Sequence, residues 1–336
     1  MRNKNTNNLL ARYAWIATCI ACFWHGCVSA AHPADNSTIT LSPDVLLAPS
    51  QSSEPISPIQ PVNSILDQRK IELGEKLFHE ERLDSKQRST SCSTCHNLRV
   101  GGTDQLAFSV NSVGKATQFN TPTIFNVSLN SQYYWSGKFH TLDDQVDDAL
   151  KEINTTWPDL LRTLNSIPAY VRAFNSLYKD GITRNNVKDA LVTYENSLTT
   201  PDSPFDRFLK GESDAITPTA LQGYKLFKSF GCITCHQGKN IGGNVVINLD
   251  RLGAPFGKLH STRHRLNGKL QHIRVPSLRN VAVTAPYFHD GSATTLYQAV
   301  QRMIDEYAGL DVIDTDVYKI VSFLRSLTGY YRGESL

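Results

Sequence analysis

Methionine is nearly absent from the 336 residues, occurring only as Met1 and Met303. No apolar run reaches the roughly 20 residues of a membrane-spanning helix. Net charge is small: the formal value is +3, and Arg2, Lys4 and Arg12 account for it. The body from residue 31 onward is therefore neutral and lacks the cationic surface of a non-specific nucleic-acid binder. With 40% apolar and 19% charged residues, the chain is neither disordered nor collagen-like. Its length suggests two domains, at about 150 residues each.

The basic residues at the start precede an apolar stretch from Tyr13 to Trp24, and no acid occurs before Asp35. Val28-Ser29-Ala30 then offers a small-x-small cleavage site. This layout reads as a signal peptide over 1–30, and hence as an exported protein that does not span the membrane after processing. An uncleaved anchor, the alternative, calls for a longer stretch. Residues 31–60, rich in Ser and Pro, read as a flexible leader.

There are seven cysteines, and three leave with the signal. The remaining four form Cys92-Ser-Thr-Cys95-His96 and Cys232-Ile-Thr-Cys235-His236. Cys-x-x-Cys-His is the attachment string of c-type haem: two thiols form thioethers with the porphyrin vinyl groups, and the histidine becomes the proximal iron ligand. A redox dithiol or a four-thiolate zinc site are the alternatives. Two copies with histidine in the same place, no spare cysteine and an export signal favour two covalently bound haem c groups.

The surroundings repeat. Gly74-Glu-Lys-Leu-Phe78 precedes the first string and Gly223-Tyr-Lys-Leu-Phe227 the second, while Gly101-Gly102 and Gly242-Gly243 follow them. A duplicated unit fits two haem domains better than one domain with two sites. Helical periodicity runs through Val187, Ala190, Leu191, Tyr194 and Leu198, and ends before Pro201. Thr217-Pro218 reads as a cap and first-turn proline. Leu296, Ala299, Val300, Met303 and Tyr307 make another apolar face, and Val317, Ile320, Val321, Leu324 and Leu327 the last. The expected fold is mainly α, with two cytochrome c-like haem domains in tandem at 61–203 and 204–336. Thr199–Pro204 is the linker.

Between about residues 65 and 330 the chain resembles the bacterial di-haem cytochrome c peroxidases. The resemblance rests on Cys92–His96 with Asn97-Leu98, Thr121-Pro-Thr-Ile-Phe-Asn126, Tyr134-Trp-Ser-Gly137 and Pro204-Phe-Asp206. It continues through Cys232–His236, Val275-Pro-Ser-Leu-Arg-Asn280 and Thr284-Ala-Pro-Tyr-Phe-His-Asp-Gly291. It implies periplasmic reduction of hydrogen peroxide to water, with electrons from a small cytochrome c or copper protein. The N-terminal haem would be peroxidatic and the C-terminal one electron-receiving; such enzymes commonly form homodimers. Related methylamine-utilisation enzymes instead oxidise residues of a partner protein. A non-enzymatic electron carrier or sensor is the remaining alternative.

The resemblance also implies residue roles. Met303 matches the distal ligand opposite His236, where the methylamine-type relatives carry tyrosine; alone, it would read as a helix-face core residue. Trp135 matches a tryptophan between the haems. Gln145 and Glu152 match the peroxidatic pair, with Glu152 as the acid-base group, although their spacing is shorter than the family's. Asn120, Thr284 and Pro286 match a calcium site, which composition alone would not suggest. Arg279 and the basic loop Lys258–Arg274 are expected to pair with haem propionates, and His289 to have a structural role near the second haem. Many relatives carry a histidine that blocks the peroxidatic iron. Here that position is Ser112, and no His or Met occurs from Asn97 to Phe139.

Overall fold

The computed structural model describes residues 54–61, 66–111, 113–248, 272–305 and 313–336. The expected signal peptide, most of the leader, Ser112, Tyr307 and most of the loop Lys258–Arg274 lie outside them. Helices dominate the described residues. The named strands form two short antiparallel pairs, β1 (Val246–Asn248) with β2 (His272–Arg274) and β3 (Tyr330–Tyr331) with β4 (Glu334–Ser335).

Two apolar cores follow the duplication. In the first, α1 (Gln68–Phe78), capped by the Asp67 side chain, crosses α6 (Arg184–Ser197). In the second, α8 (Pro218–Ser229), capped by Thr217 with Pro218 in its first turn, crosses α10 (Asp314–Arg325). The repeated glycines explain both crossings. A Cβ at Gly74 would collide with the Ala190 carbonyl oxygen, and one at Gly223 with that of Lys319. Each helix pair is thus in backbone contact, which no larger residue permits. Between α1 and α6 lie α2 (Cys92–Cys95), α3 (Leu142–Ala149), α4 (Trp157–Asn165) and α5 (Pro168–Leu177); α7 (Pro204–Leu209) precedes α8, and α9 (Leu296–Met303) precedes α10.

The duplication is sharpest after the haem motifs. Asn126 and Asn280 both take the left-handed conformation, at φ 59° and 61°, and each starts a short 3-10 turn. At the same offset along the chain, Tyr133 bridges Phe139 and Tyr287 bridges Ala293. Thr141 then caps α3 and Thr295 caps α9, two helices of equal length. In this register Trp135 corresponds to His289, Gln145 to Ala299, and Ala149 to Met303.

Thr199–Pro204, the expected linker, is tied to both halves: Thr200 is buried and receives hydrogen bonds from the side chains of both Asn126 (2.7 Å) and Asn280 (2.9 Å). One expectation changes, because the end of the leader is ordered. Ile56 and Ile59 are buried, Ile56 within the second core, and Gly238 N–H donates to the Pro55 carbonyl. Conversely, Tyr331 and Leu336 at the C-terminus pack on the first core. Each end of the described chain therefore packs on the other half's core.

Candidate functional site

The two motif histidines are held alike. His96 Nδ1 lies 3.3 Å from the Gly102 carbonyl oxygen, and His236 Nδ1 lies 3.3 Å from that of Ile241. A backbone acceptor at Nδ1 fixes the ring and leaves Nε2 for a metal. Burial holds both imidazoles neutral, lowering His96 and taking His236 down to about 4. Burial pushes the Cys92 thiol up to about 12, with Glu195 adding to it, and Cys232 up to about 11. Cys95 and Cys235 also rise through burial. These are not activated thiolates, and all four cysteines are unpaired. Among the described residues no three His, Cys, Asp or Glu side chains converge as a metal cluster, which disfavours a zinc site.

A cavity of about 500 Å³ opens beside the second motif. Cys232, Cys235 and His236 line it, and so does Met303 from the end of α9. Its volume lies within the range of cofactor pockets. Paired thiols, a neutral imidazole with a fixed tautomer and a thioether around one cavity are a donor set that fits haem.

The same cavity reaches the first half through Trp135, Asn120 and Thr121. Trp135 is buried, and its indole N–H donates to the Asn120 carbonyl at 2.7 Å. Its ring meets that of His289 edge-on, with centroids 6.2 Å apart. Asn120 N–H in turn donates to the His289 carbonyl at 2.8 Å. Asn120, Thr284 and Pro286 all line this cavity. The Asn120 amide nitrogen donates to the Leu106 carbonyl at 2.7 Å, which leaves Oδ1 as a hard donor suited to calcium.

Around the first motif, Gln145 is half-buried on α3 and Glu152 is exposed in the turn beyond it. Glu152 lies close enough for its charge to raise both Cys95 and Tyr134.

Arg279 is a correction. It does not line the cavity. It is 1% exposed and pairs at 2.7 Å with Asp206, itself fully buried. Its other donors go to Lys239 O, Ser203 Oγ and Ser57 O. With its donors committed to these partners, it joins the N-terminal segment to the second half and is not placed for a propionate. Arg274, the described end of the basic loop, does line the cavity. Buried there, it is brought down to about 10 by desolvation and donates to the Tyr134 carbonyl at 2.9 Å. Sequence reasoning missed Glu195, a buried acid on α6 near Cys92, because it sits within a run of core positions.

Residues 68–214 match the family described as di-haem cytochrome c peroxidase. The cytochrome c551 peroxidase of Nitrosomonas europaea is 33% identical over 87% of this chain and 90% of its own length. The chain belongs to the di-haem cytochrome c peroxidase family. The Escherichia coli cytochrome c peroxidase is 36% identical over 84% of this chain, which spans 63% of that longer protein. A solved MauG-like protein associated with microbial copper homeostasis shares the fold, with a TM-score of 0.68 and 22% identity over 81% of this chain and 93% of that one. Family membership makes haem the cofactor of these motifs.

Proposed function

We propose that this peroxidase reduces hydrogen peroxide to water in the periplasm, with electrons from a small cytochrome c or copper protein. The observation that carries the reading is the shared cavity that brings Cys232, Cys235, His236 and Met303 together and extends to Trp135. Bound at each Cys-x-x-Cys-His string, haem c supplies an iron that accepts and passes single electrons. Two cytochrome c-like domains, 61–203 and 204–336, would each hold one.

The chain's own residues divide the remaining work. His96 and His236 offer Nε2 to iron, and Met303 Sδ offers a soft second ligand on the electron-receiving side. Trp135, between the two halves, provides a buried aromatic bridge. Glu152 takes a proton from the near oxygen of peroxide and returns it to the far one, with Gln145 hydrogen-bonding the substrate. Arg274 is the buried cation for a propionate of the second haem. Asn120 Oδ1 and the carbonyls of Thr284 and Pro286 hold a calcium ion between the halves. The working assembly is a homodimer.

The test is steady-state oxidation of a reduced small cytochrome c by peroxide with the haem-loaded protein, after its mass has been measured. A mass of polypeptide plus two haems and peroxide-dependent turnover are expected. A single haem, bound zinc, or two haems without turnover would each defeat the reading.

A further inference from the structure

The buried acid near the first motif has no part in the scheme above. Glu195 is 6% exposed, and its Oε2 meets no hydrogen-bond partner among the described residues. Burial, with the like charge of Asp143 on α3, pushes its carboxyl up to about 8. Its charge in turn raises Cys92 from the haem-motif helix and Tyr133 from the bridged loop. From the α1 side, Gly74 packs against Ala190 and Tyr194 of the same helix, but no charged side chain of α1 acts on Glu195. No cation among the described residues acts on the carboxyl, and Cys92 packs on the first core, which Ala190, Leu191 and Tyr194 of the same helix help to build, so the charge of a haem held at Cys92 bears on its ionisation. Ferric haem carries one more positive charge than ferrous haem. A carboxylate beside it is favoured in the ferric state, and a neutral carboxylic acid in the ferrous state.

We infer that Glu195 is the proton partner of the first haem, gaining one proton from solvent as that haem gains one electron from the donor. On reoxidation the electron leaves, the O–H bond on Glu195 breaks and the proton is released. Asp143, the other acid acting on Glu195, is itself exposed. The inference rests on the haem reading of Cys92–His96. Glu195 acts through charge on the haem, without touching peroxide.

Redox titration of the two-haem protein at a series of pH values, following each haem separately, tests this. The haem content is measured first, because a wild-type protein with fewer than two haems would sink the haem reading rather than the role of Glu195. In the wild type, the reduction equilibrium of the first haem should fall up to tenfold per pH unit as Glu195 titrates, as linkage requires. The Glu195→Gln variant should lose this dependence, while the Met303-side haem remains as in the wild type. An unchanged pH slope in Glu195→Gln would overturn the inference. Should that variant fail to take up haem, Glu195→Asp decides: a displaced pH window supports the role, and an unmoved one overturns it.

Discussion

Trp135 and His289 occupy equivalent positions in the two halves, and their rings meet edge-on with centroids 6.2 Å apart. Each follows a bulky residue in the left-handed conformation, Tyr134 at φ 66° and Phe288 at φ 71°. Such a backbone costs on the order of 1–3 kcal/mol per residue, so the fold spends stability to present these two rings. The duplication thus yields a meeting point at its centre, beside the cavity that Trp135 and His289 both line.

Changing Trp135 to Phe tests that bridge. The ring stays, but the Asn120 carbonyl loses the indole N–H that reaches it at 2.7 Å. Stability should fall by about 1–3 kcal/mol, the cost of an unsatisfied buried acceptor. Electron transfer between the haems, followed by stopped-flow after reduction of the second haem, should slow. An unchanged rate would make Trp135 a packing residue only.

Met303 lines the cavity from the last position of α9. Replacing it with Ala should remove a thioether ligand, lower the potential of that haem and change its spectrum. Peroxide binding at the other iron should persist. A spectrum and potential identical to those of the wild type would return Met303 to the core.

Arg279 predicts the reverse pattern. Its ion pair with Asp206 is buried, so Arg279→Ala leaves a carboxylate stranded without its partner. Loss of one member of such a pair costs about 3–5 kcal/mol, and denaturant unfolding should register it. Both haem potentials should stay near wild type in whatever fraction folds. A selective shift in one potential would restore the propionate role that the sequence suggested.

These residues mark how far the sequence could be read. The cap at Thr217 depends on local chemistry and appears where the sequence placed it, and the repeated Gly74 and Gly223 prove to be the crossing points of the two helix pairs. Arg279 misled because the Val-Pro-Ser-Leu-Arg-Asn string records a basic residue but not its partner. Asp206 lies far away in sequence and reaches it only through the fold. Glu195 gave no signal, since it sits within a run of core positions on α6 and no motif marks it. Pairing Trp135 with His289 required the register of the duplicated halves, which the difference between tryptophan and histidine concealed.

That register also bears on how the first iron is gated. α3 and α9 start at threonine caps and have equal length, so the position that holds Met303 on α9 is held by Ala149 on α3. A methyl group cannot ligate iron. The segment from Asn97 to Phe139 contains neither His nor Met, and Ser112 stands where the family resemblance would place a blocking histidine. A serine hydroxyl is a poor iron ligand beside imidazole. Lys115, Tyr133, Tyr134 and His140 are nearby side chains able to offer nitrogen or phenolate oxygen to iron. Burial raises both Tyr133 and Tyr134, which disfavours the phenolate form that binds ferric iron. The first haem should therefore be high-spin even when both irons are ferric, and should bind peroxide without prior reduction. Electron paramagnetic resonance of the fully oxidised protein should show one high-spin and one low-spin haem, the latter being that of His236 and Met303. Two low-spin signals, with peroxide reactivity only after one-electron reduction, would mean that another side chain gates the iron. Substituting Lys115 and His140 in turn would then identify it.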